Sequence, residues 1–97
     1  MTTDDATAAE REAGGRTPPA TFDFLIHTLF TQALMALGRV PNPITGKTQP
    51  NRETARHFID TLAMLETKTA GNLTTDEGRL LEEIQHQLRM LWMEAQP

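Results

Sequence analysis

The chain has no cysteine and no tyrosine, and its only aromatic side chains are Phe22, Phe24, Phe30, Phe58 and Trp92. Without cysteine there is neither a disulfide staple nor a thiolate metal site. Basic charge is scarce as well: nine Lys and Arg stand against thirteen Asp and Glu, for a net charge of −4. That balance is a poor basis for binding nucleic acid, which calls for cations to neutralise phosphates. Long apolar runs are missing too. The most apolar stretch, about sixteen residues from Phe22, would rise only ~24 Å against a hydrocarbon core of ~30 Å. It also has no Lys or Arg to seat it on anionic lipid. Neither nucleic acid nor membrane is expected as a partner.

The residues from 1 to 20 lack branched apolar and aromatic side chains almost entirely, and are rich in Thr, Ala, Gly and Pro. Such a segment has nothing to bury against the entropy of ordering, so it is expected to be a disordered tail. Its acidic start, with no apolar stretch behind it, does not read as a signal peptide. Residues 21–97 then form a single small domain. At this size a core is marginal, burying only about 60% of the unfolded surface. A staple-free domain must compensate with regular helix packing or with a partner subunit.

What is present is helical punctuation. No stretch alternates with the period of a strand, and there are no internal repeats. Thr21 is placed to cap a helix over about Phe22 to Leu37, ended by Gly38. Residues 39–50 hold three prolines and a glycine and predict a rigid connector. Asn51 caps a second helix over about Arg52 to Thr69. The run Lys68-Thr69-Ala70-Gly71-Asn72-Leu73-Thr74-Thr75-Asp76-Glu77 stops that helix and starts a third, which reaches about Ala95. In it Gly71 supplies a left-handed residue, while Thr74 and Glu77 have the spacing of a capping box. The predicted fold is all-α: a C-terminal antiparallel helical hairpin plus a very apolar first helix.

At ~100° per residue the second helix aligns Ala55, Phe58, Ile59, Leu62 and Leu65, and the third aligns Leu80, Leu81, Ile84, Leu88 and Leu91. These two stripes are expected to satisfy each other across the Gly71 turn. The first helix is broader. Phe22, Leu25, Ile26, Leu29, Ala33 and Ala36 make its main stripe, widened by Phe30, Leu34 and Leu37, with Phe24 and Met35 on the far side. A helix apolar nearly all round is usually buried on more than one side. Three helices of this length cannot surround it, so Phe24, Phe30, Leu34, Met35 and Leu37 are candidates for self-association.

Few residues suggest chemistry. Gly46-Lys47-Thr48 resembles the end of a phosphate loop, but Pro41 occupies the place of the earlier glycine and has no N–H to offer. His27, His57 and His86 fall one per helix and away from the apolar centres, so a zinc site of three histidines is not expected. Glu66 lies in the apolar sector of its helix, where a hydrogen-bonded structural carboxylate is the expected role. No acid–base pair can be assembled. Arg39, Lys47, Arg52 and Arg56 concentrate positive charge around the connector, and two of them oppose the dipole at the start of the second helix. They are candidate partner or anion contacts. For Arg52 and Arg56 a solvated charge distribution is the default expectation; pairing with the acidic start of the third helix (Asp76, Glu77, Glu82 and Glu83) in another subunit is the competing hypothesis.

Leu37-Gly38, Pro41 with Pro43, Thr45-Gly46, Asn51, Ile59-Asp60-Thr61-Leu62, Leu65, Lys68-Thr69, Gly71-Asn72-Leu73-Thr74 and Leu88-Arg89 form one frame. In that frame the sequence resembles the domain-of-unknown-function 1844 family, small bacterial proteins, over about Phe22 to Ala95. The sequence departs from the family pattern at Arg39, where an acidic residue is common, at Ala70, where a basic one is, and at Trp92, where Tyr or Phe is. The resemblance implies a bacterial, cytoplasmic helical protein; it implies no reaction, cofactor or substrate.

Two functions follow as expectations. The leading one is a non-enzymatic module that forms a homo-oligomer through the first helix and docks a further protein, with no cofactor. The alternative is an anion- or small-molecule-binding enzyme subunit that uses the connector 39–50 with Arg39, Lys47 and Arg52.

Overall fold

A computed structural model describes residues 17–95. These form three α-helices and no strand: α1 (Phe22–Ala36), α2 (Arg52–Lys68) and α3 (Thr75–Glu94). The tail expected over 1–20 lies mostly outside the described residues; Thr17 to Ala20 are exposed and non-helical.

Each helix starts at the residue the sequence marks. Thr21 Oγ1 accepts the Phe24 N–H at 3.0 Å, and Asn51 Oδ1 accepts that of Thr54 at 3.0 Å. At α3 the capping box is complete: Glu77 N–H donates to Thr74 Oγ1 at 3.1 Å, and Thr74 N–H donates to Glu77 Oε1 at 2.9 Å. Each contact removes one of the orphan donors of a helix start.

The helix ends differ. α1 closes in a Schellman arrangement, with Gly38 N–H on Met35 O at 3.0 Å and Arg39 N–H on Leu34 O at 2.9 Å. Gly38 takes the left-handed φ of +78° that this closure demands. α2 ends one residue earlier than expected, and Gly71 does not close it directly. Gly71 instead sits at the third position of a β-turn in which Asn72 N–H donates to Thr69 O at 2.8 Å, with φ at +84°.

The connector is built rather than merely stiff. Asn42 N–H donates to Lys47 O at 2.9 Å and Gly46 N–H to Asn42 O at 2.7 Å, closing residues 42–47 into a turn. Asn42 Oδ1 accepts the Ile44 N–H at 2.8 Å from inside that turn. Asn51 N–H then donates to Ala36 O at 2.7 Å, tying the start of α2 to the end of α1.

The core comprises Ile26, Ala33, Ala36 and Leu37 from α1 and its cap, Ala55, Ile59 and Leu62 from α2, and Leu81, Ile84 and Leu88 from α3. Every pair of helices packs together, and α1 with α2 is the most extensive pair. Their shared alanines Ala33, Ala36 and Ala55 remove side-chain bulk and suit close approach.

Several expectations are corrected here. The hairpin α2–α3 does not satisfy itself, because α1 supplies much of the buried surface. Leu37 is 8% exposed and belongs to this core, so it is not a self-association residue. Leu25 lies outside the core at 43% exposure, because α1 is rotated toward Leu37. α3 is likewise rotated: Leu80 and Leu91 are only half-buried, while Gln85 is 2% exposed.

Candidate functional site

The last turn of α3 contains no basic residue of its own. Its carbonyl end is therefore served from elsewhere in the chain, as a helix C-terminus favours. Arg52 donates from Nη1 to the carbonyl oxygen of Trp92 at 3.3 Å, and its guanidinium carbon stands 3.5 Å from the centroid of the Trp92 ring. That is a stacked cation–π contact. The Arg56 guanidinium lies over the same ring at 5.9 Å. Arg39 reaches the end of the helix and pairs with Glu94, Nη2 to Oε1, at 2.6 Å.

This geometry accounts for an arginine that opposes the dipole of α2: Arg52 complements the dipole of α3. It also gives Arg52 and Arg56 partners within the chain, where solvated charge was the default expectation and the acidic start of α3 in another subunit the competing hypothesis. Arg56 is further held by Asp60, Nε to Oδ1, at 3.0 Å. Lys47 sits in the connector turn. The shallow pocket of about 210 Å³ beside that turn is lined by neutral residues, including Gln32, Met35, Asn42 and Gln49. The four candidate cations do not converge on the connector.

Beside Trp92 a half-open groove of about 230 Å³ runs between α2 and α3. Ile59, Ala63 and the Trp92 ring give it apolar walls; Arg56, Asp60 and Arg89 make its polar rim. Its one carboxylate is held by Arg56, and its lining contains no histidine or hydroxyl nucleophile. The groove can hold a group against two guanidinium ions but presents no acid–base pair.

His27, His57 and His86 are all exposed on their separate helices. His27 Nδ1 lies 2.9 Å from Asp23 O one turn back, and His57 meets Phe58 edge-on. Among the described residues no group of three His, Cys, Asp or Glu stands close enough to hold a metal ion. Glu66 is exposed, contrary to the expectation of a buried carboxylate. Thr69, the partner expected for it, donates to Leu65 O at 2.7 Å instead.

Outside these groups, α1 presents exposed apolar surface. Phe24 is 47% and the adjoining Leu25 43% exposed, while Phe30, Leu34 and Met35 are half-buried. Phe30 and Leu34 pack against the core from its edge. Of the residues marked from the sequence for self-association, Phe24 is thus the most open.

Two features were missed by pattern reading. Gln85 is the only buried polar side chain among the described residues, accepting from Arg89 Nη2 at 3.1 Å through Oε1. Its position one turn from both Leu81 and Arg89 was the available signal. Ile44 stands 90% exposed at the tip of the connector turn. An isoleucine between Pro43 and Thr45 was legible as an apolar residue in a turn.

The sequence model of a family described as Domain of unknown function (DUF1844) matches residues 19–94. The chain belongs to the DUF1844 family. The match spans all three helices, the connector and the Gly71 turn. No curated protein and no solved structure matches the chain. In this DUF1844 member Arg39, through Glu94, and Arg52, through Trp92, both reach the last turn of α3.

Proposed function

We propose that this DUF1844 protein is a non-enzymatic helical interaction module that self-associates through the outer face of α1. The observation carrying this reading is the adjacent pair Phe24 and Leu25, 47% and 43% exposed. They lie on a helix whose only Asp, Glu, Lys or Arg is Asp23. Covering such a surface gains apolar burial at ~25 cal/mol per Å² and desolvates few charges. The small core supports the same reading, since a domain of this size profits from a second subunit.

The anion-binding alternative loses support from the geometry, because Arg39, Arg52 and Arg56 already have intramolecular partners. A net charge of −4 favours a protein partner over nucleic acid. Among the described residues no helix is long and apolar enough to cross a membrane.

Light scattering on the full chain at micromolar concentration tests the proposal. A mass above that of one chain is expected, falling to one chain in Phe24→Glu with the helical content unchanged. A folded wild-type monomer would overturn it.

A further inference from the structure

The outer face of α1 is self-complementary along its length. Phe24, Thr28, Thr31 and Met35 are spaced four, three and four residues apart, so the series reads the same in both directions. At ~100° per residue all four lie within about 40° of the direction opposite the buried Ile26 and Ala33. The first three are exposed and Met35 is half-buried. This four-three-four spacing is that of a coiled-coil seam, large at both ends and small in the middle.

Reversal of a second copy about the midpoint between Leu29 and Phe30 sets Phe24 against Met35 of the partner subunit. The same operation sets Thr28 against Thr31 of the partner subunit. Small central residues let the two helix backbones approach. Thr28 already donates its hydroxyl to Phe24 O at 2.9 Å, so it can be covered without stranding a polar group.

Two further features fit the same operation. Leu25 flanks the seam on the side of Gln32, and by symmetry it falls in the partner at the height of Leu34 on that same side. There lies the shallow pocket of about 210 Å³ bordered by Gln32, Met35 and Asn42. An exposed leucine and a pocket of suitable position are thus related by one two-fold axis, as an isologous interface requires.

We propose that α1 pairs antiparallel with α1 of a second copy, Phe24 facing Met35 and Leu25 entering the pocket beside Met35. This rests on the self-association reading and specifies its geometry. A parallel pairing would instead stack Phe24 on Phe24 and leave the pocket empty.

The absence of cysteine makes a clean test. Full-length Thr28→Cys and Thr31→Cys variants, one carrying a mass tag, are mixed and oxidised. The antiparallel dimer is expected to give mostly the mixed disulfide. It should give almost no disulfide from Phe24→Cys alone, because the two Phe24 positions lie ~16 Å apart along the axis. Leu25→Glu is expected to raise the dissociation constant at least tenfold. A dimer that instead cross-links Phe24→Cys to itself would overturn the antiparallel register while leaving self-association standing. A wild-type chain that sediments as a monomer would overturn both.

Discussion

The Arg52 guanidinium carbon stands 3.5 Å over the Trp92 ring and Nη1 also donates to the Trp92 carbonyl, so one guanidinium serves two contacts at once. A lysine cannot do both, and Arg52→Lys is expected to lower stability by about 1 kcal/mol in urea unfolding. A variant as stable as the wild type would show the stack to be idle. The glycines allow a sharper comparison. Gly38 and Gly71 share a left-handed φ, yet an added Cβ at Gly38 would meet Pro50 Cγ at 3.0 Å, while at Gly71 it meets nothing. Gly71→Ala should therefore cost about 1 kcal/mol from backbone strain alone. Gly38→Ala should cost about 2 kcal/mol or more, adding overpacking to the strain. Equal losses would contradict this. At this scale the caps Thr21, Asn51 and Thr74 were legible because their partners lie three residues away. Arg52 was visible only as an anomaly, since the carbonyl that explains it is forty residues distant. Leu37, Glu66 and Gln85 were misread or passed over for a different reason. A wheel angle does not say where a neighbouring helix lies.

The three helices carry their start signals in the sequence and lose their fine rotation there. Each starts at the residue expected and ends within one residue of the expected place, because capping and turn chemistry are local. Rotation about the axis is set by packing, and it turned α3 toward Gln85 and α1 toward Leu37. Removing the α3 cap by Thr74→Ala should cost about 1 kcal/mol, read from the urea midpoint. The two faces of α1 should answer differently to substitution. Leu37→Ala opens the core and is expected to cost about 2–3 kcal/mol. Phe24→Glu touches only the outer face and should leave the unfolding free energy of the monomer nearly unchanged while removing the assembly. If Phe24→Glu unfolded the chain, that face would belong to the core.

For the whole molecule, the sequence made the all-α class legible through the absence of strand alternation and the two connectors. It also pointed at α1 as the element with surplus apolar surface, though Leu37 and the edges of Phe30 and Leu34 are used within the bundle. The surplus that remains is narrower: Phe24 and Leu25, with Met35. The candidate contacts Arg39, Arg52 and Arg56 were found by charge, but their common meeting point on the last turn of α3 needed the tertiary fold. What unifies the molecule is a bundle in which Arg39, Arg52 and Arg56 are engaged internally and the outer α1 face is left open. Sedimentation equilibrium of the full chain beside Phe24→Glu puts that claim to its most direct test. The account predicts a wild-type mass of two chains of 10.8 kDa, and a variant that is folded and of one-chain mass. A wild-type chain that is folded and monomeric at every micromolar concentration would contradict it.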